Sequence, residues 1–130
     1  MVKYRKLKKY KYQLLEPYSI QVSIFYKENI ETDFILLNPN GLLIIKKGYC
    51  WDGASGITID TKSSMRGALV HDVLYQLMRE GKIGEWHRKY ADMLLRDICI
   101  EDGMYRWRAK MWYFCVRNFA AKYAKPKESK

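Results

Sequence analysis

The hydrophobic period of this chain changes once, near residue 60, and that change limits its folds more than any other feature. Before it, apolar residues alternate or form short blocks, as strands do; after it, they recur every three or four residues, as helices do. Tyr10 to Leu15 reads as a strand ending before Pro17, and Ile20 to Tyr26 as a second with Ile20, Val22 and Ile24 on one face. Phe34–Leu37 and Leu42–Ile45 flank Asn38-Pro39-Asn40-Gly41. Asn-Gly between two apolar runs is a hairpin signal, because both residues tolerate positive φ. Gly48 to Gly56 reads as a glycine-rich loop.

Three helices follow. Thr61 to Ser64 can cap the first, which runs to about Glu80 and stops at Gly81. The second spans Glu85 to Glu101 and stops at Gly103; the third spans Met104 to Ala124. In the third, Trp107, Met111, Phe114 and Phe119 form one stripe, and Arg106, Arg108, Lys110, Arg117 and Lys122 fill the rest. That reads as an amphipathic helix with its bases outward. The expected fold is α+β: a small antiparallel sheet of about four strands, then three helices, two of them an antiparallel pair. With 130 residues the chain fits one domain, residues 1–124, with a basic N-terminal arm and a short tail at 125–130.

Composition narrows the setting. The net charge is +10, and Lys3, Arg5, Lys6, Lys8, Lys9 and Lys11 all precede the first acid, Glu16. Such a surface attracts phosphate, in nucleic acid or anionic lipid, and equally serves as a solvated face. Three widely spaced cysteines without a CxxC pair argue against a disulfide scaffold and a zinc site. No apolar run has transmembrane length, and no signal core follows Met1, so we expect a protein made and folded in a cytoplasm.

Two segments carry polar residues with chemical potential. His71 and Tyr75 are four apart, so they share a helix face among Val70, Val73, Leu74, Leu77 and Met78. Asp92 borders the apolar side of the next helix beside small Ala91, which permits close helix approach. A carboxylate on one ring nitrogen fixes the histidine tautomer and leaves the other nitrogen to take a proton. The same pair also reads as a satisfied polar contact between helices with no reaction attached. Trp51-Asp52-Gly53-Ala54-Ser55 places an acid, a hydroxyl and a glycine before the first helix. It reads either as a ligand loop, with carbonyls and a carboxylate suited to Ca²⁺, or as a turn that plugs the sheet end with Trp51.

Trp51-Asp-Gly-Ala-Ser55, His71-Asp-Val-Leu-Tyr75 and Arg88-Lys-Tyr-Ala-Asp92, in that order, resemble the bacteriophage family called domain of unknown function thirteen fifty-three. The resemblance implies phage or prophage origin, and so a place in the host cytoplasm or the virion, and supplies no activity. The His71-Asp72-x-x-Tyr75 and Asp92 pattern is also similar to the helix pair of secreted phospholipases A2. That similarity implies His71 as the base, Asp92 orienting it, Tyr75 bracing Asp92, Asp72 as a Ca²⁺ ligand, and the Trp51–Ser55 segment at the calcium loop. Leu74 stands where that motif has cysteine, and the disulfide frame is missing. Three functions remain open: a phage hydrolase acting on membrane phospholipid, a non-catalytic virion protein (tail, neck or capsid) contacting other phage proteins, and, ranked last, a nucleic-acid binder. Self-association fits any of them.

Overall fold

A computed structural model describes residues 2–8, 11–52 and 62–126. The fold is α+β, and the chain forms two compact units, Met1–Asp52 and Gly53–Lys130. The N-terminal unit contains two antiparallel sheets where a single one was expected. One has the order β1-β2-β7, from Tyr4–Lys8, Lys11–Leu14 and Cys50–Asp52. The other has the order β3-β6-β5-β4, from Tyr18–Gln21, Leu42–Ile45, Ile35–Leu37 and Ile30–Glu31. Pro17, which has no N–H for a ladder, separates β2 from β3.

Local chemistry explains these boundaries. Gly41 closes the β5–β6 hairpin at φ 87°, and a Cβ there would collide with the Val22 carbonyl oxygen. Gln21 pairs with Leu42, the first residue of β6, and after one more bond, from the Val22 N–H to Gly41 O, the chain has passed the hairpin turn, so β3 ends short of the expected Tyr26. Val22 and Ile24 stay buried beyond the ladder. The basic segment read as an arm is instead edge strand β1, where lysines discourage pairing with another chain. Within the expected loop, Gly48 turns the chain at φ 96°, the Gly48 N–H donates to Leu14 O, and β7 then joins β2. Trp51 of β7 stacks with Tyr4 and Tyr12 in this unit.

The C-terminal unit is helical: α1 Lys62–Arg79, a 3-10 turn at Glu85–His87, α2 Arg88–Glu101, α3 Arg106–Phe119 and α4 Ala121–Ala124. Gly81 at φ 71° and Gly103 at φ 102° end α1 and α2. Helices α1 and α2 run antiparallel. Arg66 near the start of α1 forks onto both oxygens of Asp102 at 3.0 Å, just beyond the end of α2, and also pairs with Glu101. Leu95 and Cys99 of α2 pack with Met104, Ala109, Trp112 and Val116.

The third expected helix differs in two ways. It breaks at Ala120, just past Val116 O and Arg117 O, which both accept from Arg88 at 2.7 Å. Its apolar stripe also faces outward: Trp107, Met111, Phe114 and Phe119 are exposed, while Ala109, Trp112 and Val116 are buried. Small Ala109 allows a close approach that Met111 or Phe114 would prevent. Cys50 is exposed and Cys99 buried; burial pushes the Cys99 thiol up to about 12, so it packs as a neutral group. Among the described residues no helix is long and apolar enough to cross a membrane.

Gly67 marks a close approach of α1 to α2: a Cβ there would lie 2.8 Å from Cys99 Sγ and 3.2 Å from the Leu95 carbonyl oxygen. Gly67→Val should therefore destabilise the protein by roughly 1–3 kcal/mol, despite valine's better helix propensity. Urea unfolding at neutral pH reads this; an unchanged midpoint would mean that the helices have room to part.

Candidate active site

The site forms where three helices converge on one carboxylate. The 3.6-residue period sets His71 directly below Tyr75 on α1, with ring centroids 4.1 Å apart. Both reach Asp92 on α2. His71 Nε2 lies 2.8 Å from Asp92 Oδ1, and the Tyr75 hydroxyl donates to the same oxygen at 2.6 Å. The second oxygen accepts from Arg117 of α3 at 2.9 Å, and Arg88 Nε stands 3.9 Å away. Asp92 itself is completely buried.

Electrostatics follow from that donor set. Burial alone would raise the Asp92 pKa, but hydrogen bonds from His71, Tyr75 and Arg117 outweigh it and hold the carboxyl below its ordinary value. Burial raises the Tyr75 phenol, with the Asp92 bond acting in the same direction, so Tyr75 remains a donor. An ionised carboxylate only accepts. The nitrogen facing Asp92, Nε2, therefore carries a proton, and in the neutral ring Nδ1 is the acceptor. The His71 side chain is 13% exposed, which shields the ring from bulk water without sealing it.

Arg88 organises the surroundings. Its Nε donates to the Tyr75 hydroxyl at 3.0 Å, and one terminal nitrogen donates to Val116 O and Arg117 O, each at 2.7 Å. One guanidinium thus ties α1, α2 and the end of α3 together, using the planar fork that distinguishes arginine from lysine.

The other residues singled out in the sequence fall elsewhere. Asp72 follows His71 on α1, is half-buried, and does not share the His71–Tyr75 face. Trp51 belongs to the N-terminal unit, and its indole N–H has no partner among the described residues. Asp52 ends β7, and Gly53, Ala54 and Ser55 lie outside the described residues. The sequence reading missed Arg88 and Arg117 as partners of Asp92. Arg88 carried a usable signal, the (i, i+4) spacing to Asp92; Arg117 had none, because its contact spans 25 residues.

A family model described as "Protein of unknown function (DUF1353)" matches residues 29–116. The chain belongs to this family. The DUF1353 match takes in His71, Tyr75, Arg88 and Asp92 and ends one residue before Arg117. No curated protein and no solved structure matches the chain.

Asp92 should dominate both stability and its acid sensitivity. Asp92→Asn leaves Arg117 and Arg88 facing a neutral amide in a buried site, a loss of about 3–5 kcal/mol by analogy with other broken buried pairs. Because the folded-state pKa is depressed, this contribution is present above about pH 4, near the unfolded value, and fades as pH falls through the folded value. Urea midpoints from pH 7 down to pH 2.5 check this: wild type should lose stability on acidification, and Asp92→Asn should lose less.

Proposed function

We propose that this protein is a phage-encoded hydrolase in which His71 and Asp92 form the dyad, acting on the ester bonds of membrane phospholipid during infection or lysis. The observation that carries the reading is the Asp92–His71 Nε2 bond, which leaves Nδ1 as the proton acceptor. Water would give a proton to Nδ1 while its oxygen attacks the ester carbonyl carbon. The His71 imidazolium would then return the proton to the departing alkoxide, giving a free fatty acid and a lysolipid. Asp92 would stabilise the transient imidazolium, and Tyr75 with Arg117 would hold Asp92 in place. The phospholipid class comes from the likeness to the phospholipase A2 helix pair.

The Ca²⁺ ligands expected from the phospholipase A2 likeness are Asp72, the one acid of α1, and the Trp51–Ser55 loop, of which Gly53, Ala54 and Ser55 lie outside the described residues. No step above is routed through a metal ion.

One observation favours a second reading, a non-catalytic virion protein. Both oxygens of Asp92 are satisfied and Arg88 locks the end of α3, an arrangement that holds helices together without any reaction.

His71→Ala separates the two. In a hydrolase it should cut fatty-acid release from mixed phospholipid vesicles by roughly 10²–10⁴-fold, the usual contribution of a positioned base. It should also cost less stability than Asp92→Asn, since Arg117 and Tyr75 still satisfy the carboxylate. If wild-type protein at micromolar concentration, with calcium present, releases no fatty acid from any bilayer, the hydrolase reading fails. A fixed stoichiometry in washed virions would then favour the second.

A further inference from the structure

The outward stripe of α3 has no part in the His71–Asp92 chemistry. Trp107, Met111 and Phe114 are 65%, 45% and 63% exposed. Their spacing of four and three residues places them on one line along the helix. Arg106 and Lys110 lie along one edge of that line, both exposed. No acidic residue occurs between Asp102 and Glu128. Exposed apolar side chains of this size, in a row, are costly in water and mark a surface that is covered in use.

We propose that this face of α3 seats on an anionic lipid bilayer. Trp107, Met111 and Phe114 would enter the boundary between headgroups and acyl chains, and Arg106 and Lys110 would lie against the lipid phosphates. The inference does not depend on hydrolysis. It rests on charge complementarity joined to an apolar centre. An aromatic and aliphatic row bordered by bases and free of acids is the pattern of helices that lie in a membrane interface. A second copy of the chain fits poorly, because face-to-face packing about a two-fold axis brings Arg106 and Lys110 against like charges with no acid between them. Nucleic acid fits poorly too. Met111 and Phe114 at the centre offer no donor to a phosphate or base edge, and their burial gains most in hydrocarbon.

The stripe also adjoins the site. Phe114 precedes Arg117 by three residues, so the two are neighbours on the helix surface, and Arg117 bonds Asp92. A bilayer beneath Phe114 would lie close to the side chain that holds the dyad.

The test is co-sedimentation of the full chain with sucrose-loaded vesicles, either pure phosphatidylcholine or with about 30% phosphatidylglycerol. Four proteins serve: wild type, Trp107→Ser/Phe114→Ser, Arg106→Gln/Lys110→Gln and His71→Ala. Wild type should bind the anionic vesicles at least tenfold more tightly than the neutral ones. The Ser pair should lose about tenfold or more, with an unchanged circular dichroism spectrum because both positions are exposed. The Gln pair should lose most of the preference for anionic vesicles. His71→Ala should bind as wild type does, which keeps this result apart from the fate of the hydrolase reading. The proposal is overturned by wild type that stays in the supernatant, or by a Ser pair that binds as wild type does. It is equally overturned if the Ser pair abolishes a concentration-dependent dimer, or salt-sensitive DNA binding, while vesicle binding is unaltered.

Discussion

A single ionised carboxylate sets the terms for the helical unit. Taking an unpaired charge out of water costs several kcal/mol, so Asp92 can stay charged and buried only if donors surround it. Those donors are His71 and Tyr75 from α1 and Arg117 from α3, and Arg88 of its own helix adds a charge 3.9 Å away. The helices therefore cannot slide or rotate freely. A slip of one residue along α1 would carry both His71 and Tyr75 off the carboxylate together. Apolar packing around Leu95, Cys99 and Trp112 supplies cohesion, but that kind of contact is non-directional. Hydrogen-bond geometry at Asp92 supplies the register.

The parts of the fold that were legible in the sequence are those written by local physics. Asn40-Gly41 marks its hairpin, and Gly81 and Gly103 mark their helix ends, because positive φ is a local requirement that glycine meets. The His71–Tyr75 face is equally local, set by the helical repeat. What escaped depends on partners far along the chain. Tyr4–Lys8 looks like a solvated basic arm until β2 pairs with it. Cys50–Asp52 looks like a loop until β2 offers its other edge. The direction of α3 shows the limit most clearly. Two apolar rows occur on that helix, and periodicity alone favoured the one with more large side chains. The buried row is the one containing Ala109, because close packing rewards fit above size. Arg117 could not have been placed without knowing that rotation.

At the candidate site the same reasoning separates what helix spacing gives from what assembly adds. Spacing is enough to put a histidine and a tyrosine in line. Assembly decides which ring nitrogen meets the carboxylate, and that choice determines the chemistry available. With Nε2 engaged, the ring presents Nδ1 as its basic atom, and the arginines keep Asp92 from competing for the proton. A fold that engaged neither nitrogen would leave both tautomers populated and the ring free to turn.

Arg88 has a consequence for how this sequence can change over generations. Its guanidinium spans the Tyr75 hydroxyl and two main-chain carbonyls of α3, while the Tyr75 hydroxyl itself serves Asp92. Groups that share partners in this way have effects that do not add. Losing the arginine weakens the grip on Tyr75, and losing Tyr75 leaves the arginine without part of its purpose. Positions 71, 75, 88, 92 and 117 are thus bound into one heritable unit. Change at any one of them is constrained by the state of the other four, while the exposed row on α3 shares none of these bonds.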